Sequence, residues 1–234
     1  NIAATLSLDT AQGILKDKFK FIIPASVKGN ASLVLNILGN VPIKENLQLS
    51  GYLGFISAFV KPDKFAFPLE DINGRINFSQ DSFSWEALNF KYSGASYKTS
   101  GSLTDFNSPN VNFALNSNDL NLNSNFTVKK NFVSLSNLKG KYFNSEFSLY
   151  GDIDTSAPDR TQANLKGELN LEAGDLSKLF AKFRSQIEKA NAQGKLNAQF
   201  NLNGDINDFK SCVLEAKIST GQFNAYGLKA DKLF

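Results

Sequence analysis

The chain contains no histidine, no methionine and one cysteine among its 234 residues. Histidine is the commonest general base and metal ligand near neutral pH, so its absence excludes Ser-His and Cys-His nucleophile pairs. The single Cys212 cannot form an internal disulfide. No phosphate-binding glycine loop or nucleophile elbow occurs either. We therefore predict that the protein is not an enzyme and has neither a cofactor nor a metal ion.

Charge of one sign is also scarce, since the formal net charge is only +3. The lysines are scattered, and we expect a run such as Lys16-Asp17-Lys18-Phe19-Lys20-Phe21 to form a solvated strand face. Proteins that bind single-stranded nucleic acid combine basic grooves with aromatic side chains, and no such patch occurs here. We predict that nucleic acid is not a partner.

Long hydrophobic runs are missing as well. The longest apolar stretches, such as residues 31–38, are interrupted by polar residues and are too short for a transmembrane helix. Because the chain begins at Asn1 and lacks methionine, we expect it to be a fragment or a processed form of a larger protein. A membrane anchor would then lie outside this sequence.

The dominant feature that is present is a strict alternation of apolar and polar residues. Successive side chains of a strand point to opposite faces, so this alternation predicts strands with one apolar and one polar face. Such one-sided strands are typical of antiparallel sheets. The alternation is clearest in Leu47–Ser50, Val111–Asn116, Leu165–Leu171 and Leu196–Asn203.

Two local signals refine this prediction. Asn73-Gly74 lies between apolar residues and predicts a two-residue hairpin turn. The apolar phase changes between Ala87 and Leu88, which predicts a β-bulge or a bent strand.

Glycine-led segments recur along the chain. Gly101–Ser108 and Gly204–Ser211 share the glycine, an aliphatic residue, Asp-Phe and the final serine, and Gly151–Asp154 is a weaker copy. We interpret each as the end of a strand followed by a turn. Repeats of this kind indicate a unit that buries its apolar face by stacking on its neighbours.

One segment departs from the strand pattern and predicts an amphipathic helix near residues 175–190. Asp175 is placed to cap its start, and Gly194 is the stop signal. Two interpretations remain open, a basic helix at a membrane surface or a helix packed on the sheet. The apolar stripe consists of Leu176, Leu179, Phe180, Phe183 and Ile187.

The strand units resemble those of the AsmA/TamB family over roughly residues 29–234. The resemblance is carried by Leu69–Phe78, Gly94–Pro109, Val111–Leu122, Gly194–Gly204 and Ile218–Leu228. It implies a single AsmA-like region over residues 1–234, belonging to a larger envelope protein. Such regions are periplasmic and are anchored to the inner membrane by a further segment. The sheet of these proteins folds into an open trough, or taco, with an apolar inner surface, and the family is implicated in phospholipid movement to the outer membrane and in outer-membrane assembly.

The expected fold is therefore mostly β, with antiparallel repeated strands forming a curved open sheet and one helix. We expect phospholipid acyl chains as partners, together with inner-membrane and outer-membrane proteins. An alternative is a structural β-repeat or adhesin-like scaffold, in which the same residues form the closed core of a sandwich. The candidate lipid-groove residues are Phe113, Leu115, Phe147, Leu149, Phe200 and Leu202.

Overall fold

A computed structural model of the chain describes residues 1–20, 22–39, 47–157, 159–179, 184–225 and 228–230. The chain divides into two compact units, Asn1–Asn118 and Asp119–Phe234. The expectation of one continuous β-groove region over residues 1–234 stays a prediction.

In the first unit, the described residues form seven strands and one helix. These elements are β1 Ile2–Ser7, α1 Leu8–Phe19, β2 Ala25–Leu38, β3 Gln48–Pro62, β4 Leu69–Ser79, β5 Ser82–Tyr92, β6 Ala95–Thr104 and β7 Asn110–Asn116.

The second unit also contains seven strands in its described part, with a helical segment between the fourth and the fifth. Its strands are β8 Leu120–Lys129, β9 Phe132–Tyr142, β10 Ser145–Asp154, β11 Gln162–Glu172, β12 Gln193–Asp205, β13 Val213–Ala225 and β14 Leu228–Ala230. Its helical elements are the 3₁₀ turn Ala173–Asp175, α2 Leu176–Leu179, α3 Arg184–Ala190 and the 3₁₀ turn Phe209–Ser211.

Within each unit, every strand pairs antiparallel with the next strand along the chain. This simple up-and-down order follows from short turns between strands that each have one apolar face. The prediction of a mostly β protein with an open antiparallel sheet is confirmed.

The N-terminal lysine run is not the strand face that its alternation predicted. Residues 16–19 form the last turn of α1, and Lys20 ends the helix in the left-handed conformation with φ 55°. Leu8, Ala11 and Leu15 lie at helical spacing and are half-buried. Ser7 caps the start, since its hydroxyl accepts a hydrogen bond from the Thr10 amide. The alternation covered only six residues, and this cap and apolar stripe outweigh it.

The prediction of a hairpin at Asn73-Gly74 is wrong, because both residues lie inside β4. The Asn73 carboxamide accepts a hydrogen bond from the Ser57 amide at 2.9 Å and donates one to the Asp71 carbonyl at 2.7 Å. Gly74 has φ +132°. Glycine adopts a positive φ without a steric penalty, so a dipeptide that is typical of hairpin turns can also lie at a bulge inside a strand.

The bulge predicted beside Ala87 is confirmed. The β5–β6 register shifts between Trp85 and Leu88, and irregularities also occur in the β2–β3, β3–β4 and β4–β5 pairings. Bulges bend the strand that carries them and increase its twist. Their occurrence on consecutive strands therefore bends the sheet of the first unit.

The repeated Gly-led segments share their turn chemistry. The Asp105 carboxylate accepts hydrogen bonds from the amides of Asn107 and Ser108, at 3.1 and 3.3 Å. In the matching copy, Asp208 accepts one from the Lys210 amide at 3.2 Å. Both are Asx turns, in which an aspartate replaces the backbone as acceptor, and this is why the motif keeps the aspartate.

The predicted helix near residues 175–190 occurs as α2 and α3. Phe180 and Phe183 of its predicted stripe lie outside the described residues. Asp175 ends the 3₁₀ turn and immediately precedes α2, and its carboxylate accepts hydrogen bonds from Asn144 and Ser145 at the β9–β10 hairpin. The predicted stop, Gly194, lies inside β12.

Candidate functional site

Four of the six candidate groove residues share one face of the second unit. On β10, Phe147 and Leu149 stand opposite Leu169 and Gly167 of β11. On β12, Phe200 stands opposite the same Gly167 from the other side. Since directly opposed residues point to the same face, we call this surface the apolar face of the second unit. It consists of Phe147, Leu149, Leu165, Leu169, Phe200, Leu202, Leu214 and Ile218.

The other two candidates, Phe113 and Leu115, lie on β7 of the first unit. They stand opposite Gly101 and Thr99 of β6 and therefore share a face of that sheet. Both side chains are half-buried. The six predicted residues thus form two sets, one in each unit.

Aromatic rings lie over glycines on the apolar face of the second unit. They do so too on the face of the first unit that contains Phe113, which we call the apolar face of the first unit. A Cβ built on Gly167 would come within 2.6 Å of the Phe200 ring, and one on Gly140 would collide with the Phe147 ring. In the first unit, Trp85 stands in the same way over Gly101, at 2.6 Å, and Phe78 over Gly51, at 2.8 Å. In each pair the glycine and the aromatic residue are direct cross-strand neighbours. The ring occupies the space that the absent side chain leaves.

This pairing has a physical reason. A glycine in a strand weakens the sheet because it has no side chain to pack, and a ring from the neighbouring strand restores that contact. The result is an even apolar surface in which rings lie along the sheet. Sequence reasoning missed these pairs, although glycine in the apolar phase of Leu165-Lys166-Gly167-Glu168-Leu169 was a visible signal.

The apolar faces are not covered as the core of a sandwich would be. Among the described residues, the buried apolar side chains are Ala31, Ala58, Leu88, Ala163, Leu165, Leu171 and Ala173. Phe147, Leu149, Phe200 and Leu202 are only half-buried, and Ile218 is 58% exposed.

A buried carboxylate attaches the helical segment to the sheet of the second unit. Asp175 is 1% exposed, and its carboxylate accepts hydrogen bonds from the Asn144 amide at 2.8 Å and the Ser145 hydroxyl at 3.0 Å. The Ser145 hydroxyl oxygen in turn accepts a bond from the Glu172 amide at 3.1 Å. We call Asn144, Ser145, Glu172 and Asp175 the latch.

The hydrogen bonds of the latch lower the pKa of the Asp175 carboxyl group. Burial by itself raises the pKa of Asp175, but the hydrogen bonds from Asn144 and Ser145 and the nearby Lys178 ammonium together outweigh burial. The pKa of Asp175 therefore lies below its ordinary value, and the latch carboxylate is ionised at neutral pH. Lys178 also stands over the Phe143 ring at 3.9 Å from its centroid, which adds a cation–π contact to the same corner.

Comparisons with protein-family models, curated proteins and solved structures found no match for this chain. The resemblance to the AsmA/TamB family therefore stays a prediction. In the part of the chain that the structure describes, no helix is both long and apolar enough to cross a membrane. The same residues contain no group of three or more histidine, cysteine, aspartate or glutamate side chains placed to hold a metal ion.

Proposed function

We propose that the apolar faces bind phospholipid acyl chains, and that the protein is a periplasmic lipid-transport segment that contributes to outer-membrane lipid homeostasis and envelope assembly. The observation that carries the proposal is the half-exposed apolar face of the second unit, with the Phe147 and Phe200 rings lying along the sheet. Burying a Leu or Phe side chain fully is favourable by about 1.5–3 kcal/mol. A half-exposed apolar surface therefore favours an apolar ligand, and phospholipid acyl chains are such ligands.

Several parts of the proposal rest on the family resemblance alone. These are the periplasmic location, the inner-membrane tether outside this sequence, and the inner-membrane and outer-membrane protein partners. The absence of enzyme activity is proposed instead from the missing histidine. The alternative, a structural β-repeat or adhesin-like scaffold, needs a closed core. Half-exposed Phe147, Leu149, Phe200 and Leu202 do not support that alternative.

A charge placed on the apolar face is expected to abolish lipid loading. We expect the purified chain to carry phospholipid that native mass spectrometry detects, and Phe200→Asp to lose it because a carboxylate in contact with acyl chains is strongly disfavoured. Ile218→Asp should act in the same way, and since Ile218 is 58% exposed this second variant keeps the fold.

Val213→Asp is the matched control. Val213 lies on β13, the same strand as Ile218, and its side chain is 61% exposed. It stands opposite Asn203 and so lies on the polar face. It introduces the same charge without touching the proposed groove and should leave lipid loading unchanged. Circular dichroism verifies folding of all three variants. Lipid-free wild-type protein, or equal lipid loading in Ile218→Asp and Val213→Asp, would disprove the proposal.

A further inference from the structure

Polar-face side chains of the second unit line a depression whose lining also reaches Phe147, Leu149, Phe200 and Ile218 of the apolar face. Three adjoining cavities of about 940, 350 and 750 Å³ lie along it, and Glu168 lines all three. We call this depression the polar trough.

A single row of side chains runs across its floor. Successive cross-strand pairs place Asn123, Lys139, Ser148, Glu168, Gln199 and Lys217 side by side on six neighbouring strands, β8 to β13. Neighbouring strands are about 4.8 Å apart, so the row extends about 24 Å across the sheet. A chain-like ligand lying across the strands would meet a new side chain at each step.

Side-chain amides recur along the polar trough. They are Asn121 and Asn123 on β8, Asn137 on β9, Asn170 on β11, and Asn197, Gln199 and Asn201 on β12. A carboxamide both donates and accepts hydrogen bonds, which suits hydroxyl and acetamido groups that do the same. One of these amides is already oriented, because the Gln199 Nε2 donates to the Glu168 carboxylate at 3.0 Å.

The charges in the polar trough argue against other classes of ligand. Four lysines and three glutamates are interspersed along it, which leaves a net charge of only +1. A polyanion such as nucleic acid would need a clear excess of lysine or arginine.

One aromatic side chain stands at the edge of this surface. Tyr150 lines the largest cavity and is 50% exposed, and it lies where the β9–β10 register shifts between Leu149 and Gly151. The face of an aromatic ring is electron-rich and packs well against the C–H groups of a pyranose ring. Tyr150 stands opposite Lys166, which stands opposite Asn201, so its ring lies in the row of side chains next to that of Glu168 and Gln199. An exposed ring near several side-chain amides suits an extended, uncharged sugar polymer.

We propose that the polar trough binds an extended, uncharged glycan that lies across strands β8 to β13. Tyr150 stacks on one sugar ring, and Gln199 together with its neighbouring amides bonds the hydroxyl or acetamido groups of the next ones. The two side chains that carry this proposal, Tyr150 and Gln199, alternate with Leu149 and Phe200 along their strands and so point to the face opposite those two residues.

Isothermal titration of the full chain with two hexasaccharides tests the proposal. Cellohexaose carries hydroxyl groups only, and the hexamer of N-acetylglucosamine adds acetamido groups on the same linkage. We expect saturable binding of at least one of them, and Tyr150→Ala and Gln199→Ala should each weaken it about tenfold or more. Which hexamer binds more tightly identifies the groups that the amides recognise.

Asn164→Ala is the matched control, since Asn164 is an exposed amide on the polar face of β11 outside the lining of the trough. It should bind like the wild type. The proposal is overturned if neither hexamer binds, or if Tyr150→Ala and Gln199→Ala bind like Asn164→Ala. Circular dichroism verifies that every variant is folded, and both substituted residues are polar-face side chains whose removal leaves the apolar face intact.

Discussion

Asp175→Ala is expected to lower the free energy of unfolding of the second unit by about 3 kcal/mol. The substitution removes the acceptor of the Asn144 amide and the Ser145 hydroxyl. Ser145 is only 2% exposed, so its hydroxyl has little access to water as a substitute partner. A buried donor without an acceptor costs far more than a lost surface contact, and the bonds to a charged acceptor are among the stronger ones.

Hydrogen exchange of the full chain measures this effect locally. The amides of Asn144 and Glu172 should exchange much faster in Asp175→Ala, because both belong to the latch. Asp208→Ala is the control, since Asp208 also accepts an amide hydrogen bond but lies in an exposed turn. Unchanged protection at Asn144 in Asp175→Ala would show that the latch does not hold the helical segment.

The same variant should change the response to acid. The pKa of Asp175 is lowered in the folded protein, so the latch contributes stability above its unfolded pKa of about 3.9, and this contribution is lost as the pH falls through the folded value. The wild type should therefore lose stability below about pH 4 more steeply than Asp175→Ala. Urea unfolding at pH 7 and at pH 3 compares the two proteins, and equal pH dependence would contradict the assignment.

Gly151→Ala is expected to cost about 3 kcal/mol of stability through two independent effects. Gly151 has φ +133°, a conformation that residues with a Cβ rarely adopt. An added Cβ would also collide with the carbonyl oxygen of Asn164 on β11, which is held in the ladder and cannot move aside. The bulge at this point in β10 therefore requires glycine.

Gly174→Ala is the matched control for this substitution. A Cβ at Gly174 would meet no atom within 4 Å, so the same chemical change is made in open space. Urea unfolding of the full chain, followed by circular dichroism, should show a large decrease in the urea concentration at the unfolding midpoint for Gly151→Ala. The decrease for Gly174→Ala should be small. Similar shifts for the two variants would mean that the backbone of β10 relaxes at little cost.

Much of the fold was predictable because strand alternation is a local property. Side chains two residues apart share a face in any strand, so the pattern in Leu196–Asn203 was sufficient to predict a strand with one apolar face. The bulge beside Ala87 was predictable for the same reason, since an extra residue reverses the phase within one strand. In the lysine run of α1, a six-residue alternation competed with the cap at Ser7 and the apolar stripe of the helix. The alternation gave the wrong prediction.

The candidate site was predictable only in part. Phe147, Leu149, Phe200 and Leu202 were each expected to face the groove, and they share one face because their strands pair in register through β11. That Phe200 lies over Gly167 depends on which residues of two strands stand opposite each other. No single strand contains that information, since register depends on pairing between distant parts of the chain.

The sequence by itself determined that this protein is built from one-sided antiparallel strands and contains no histidine. Its missing histidine and its alternating pattern are properties of composition and of neighbouring residues, which need no tertiary contact. Only the tertiary structure decided that Asp175 accepts a hydrogen bond from Asn144 of the β9–β10 hairpin, and that Asn73-Gly74 lies at a bulge inside β4 rather than in a turn. In both cases the partner is 16 or more residues away, so the choice depends on how the strands pair and pack.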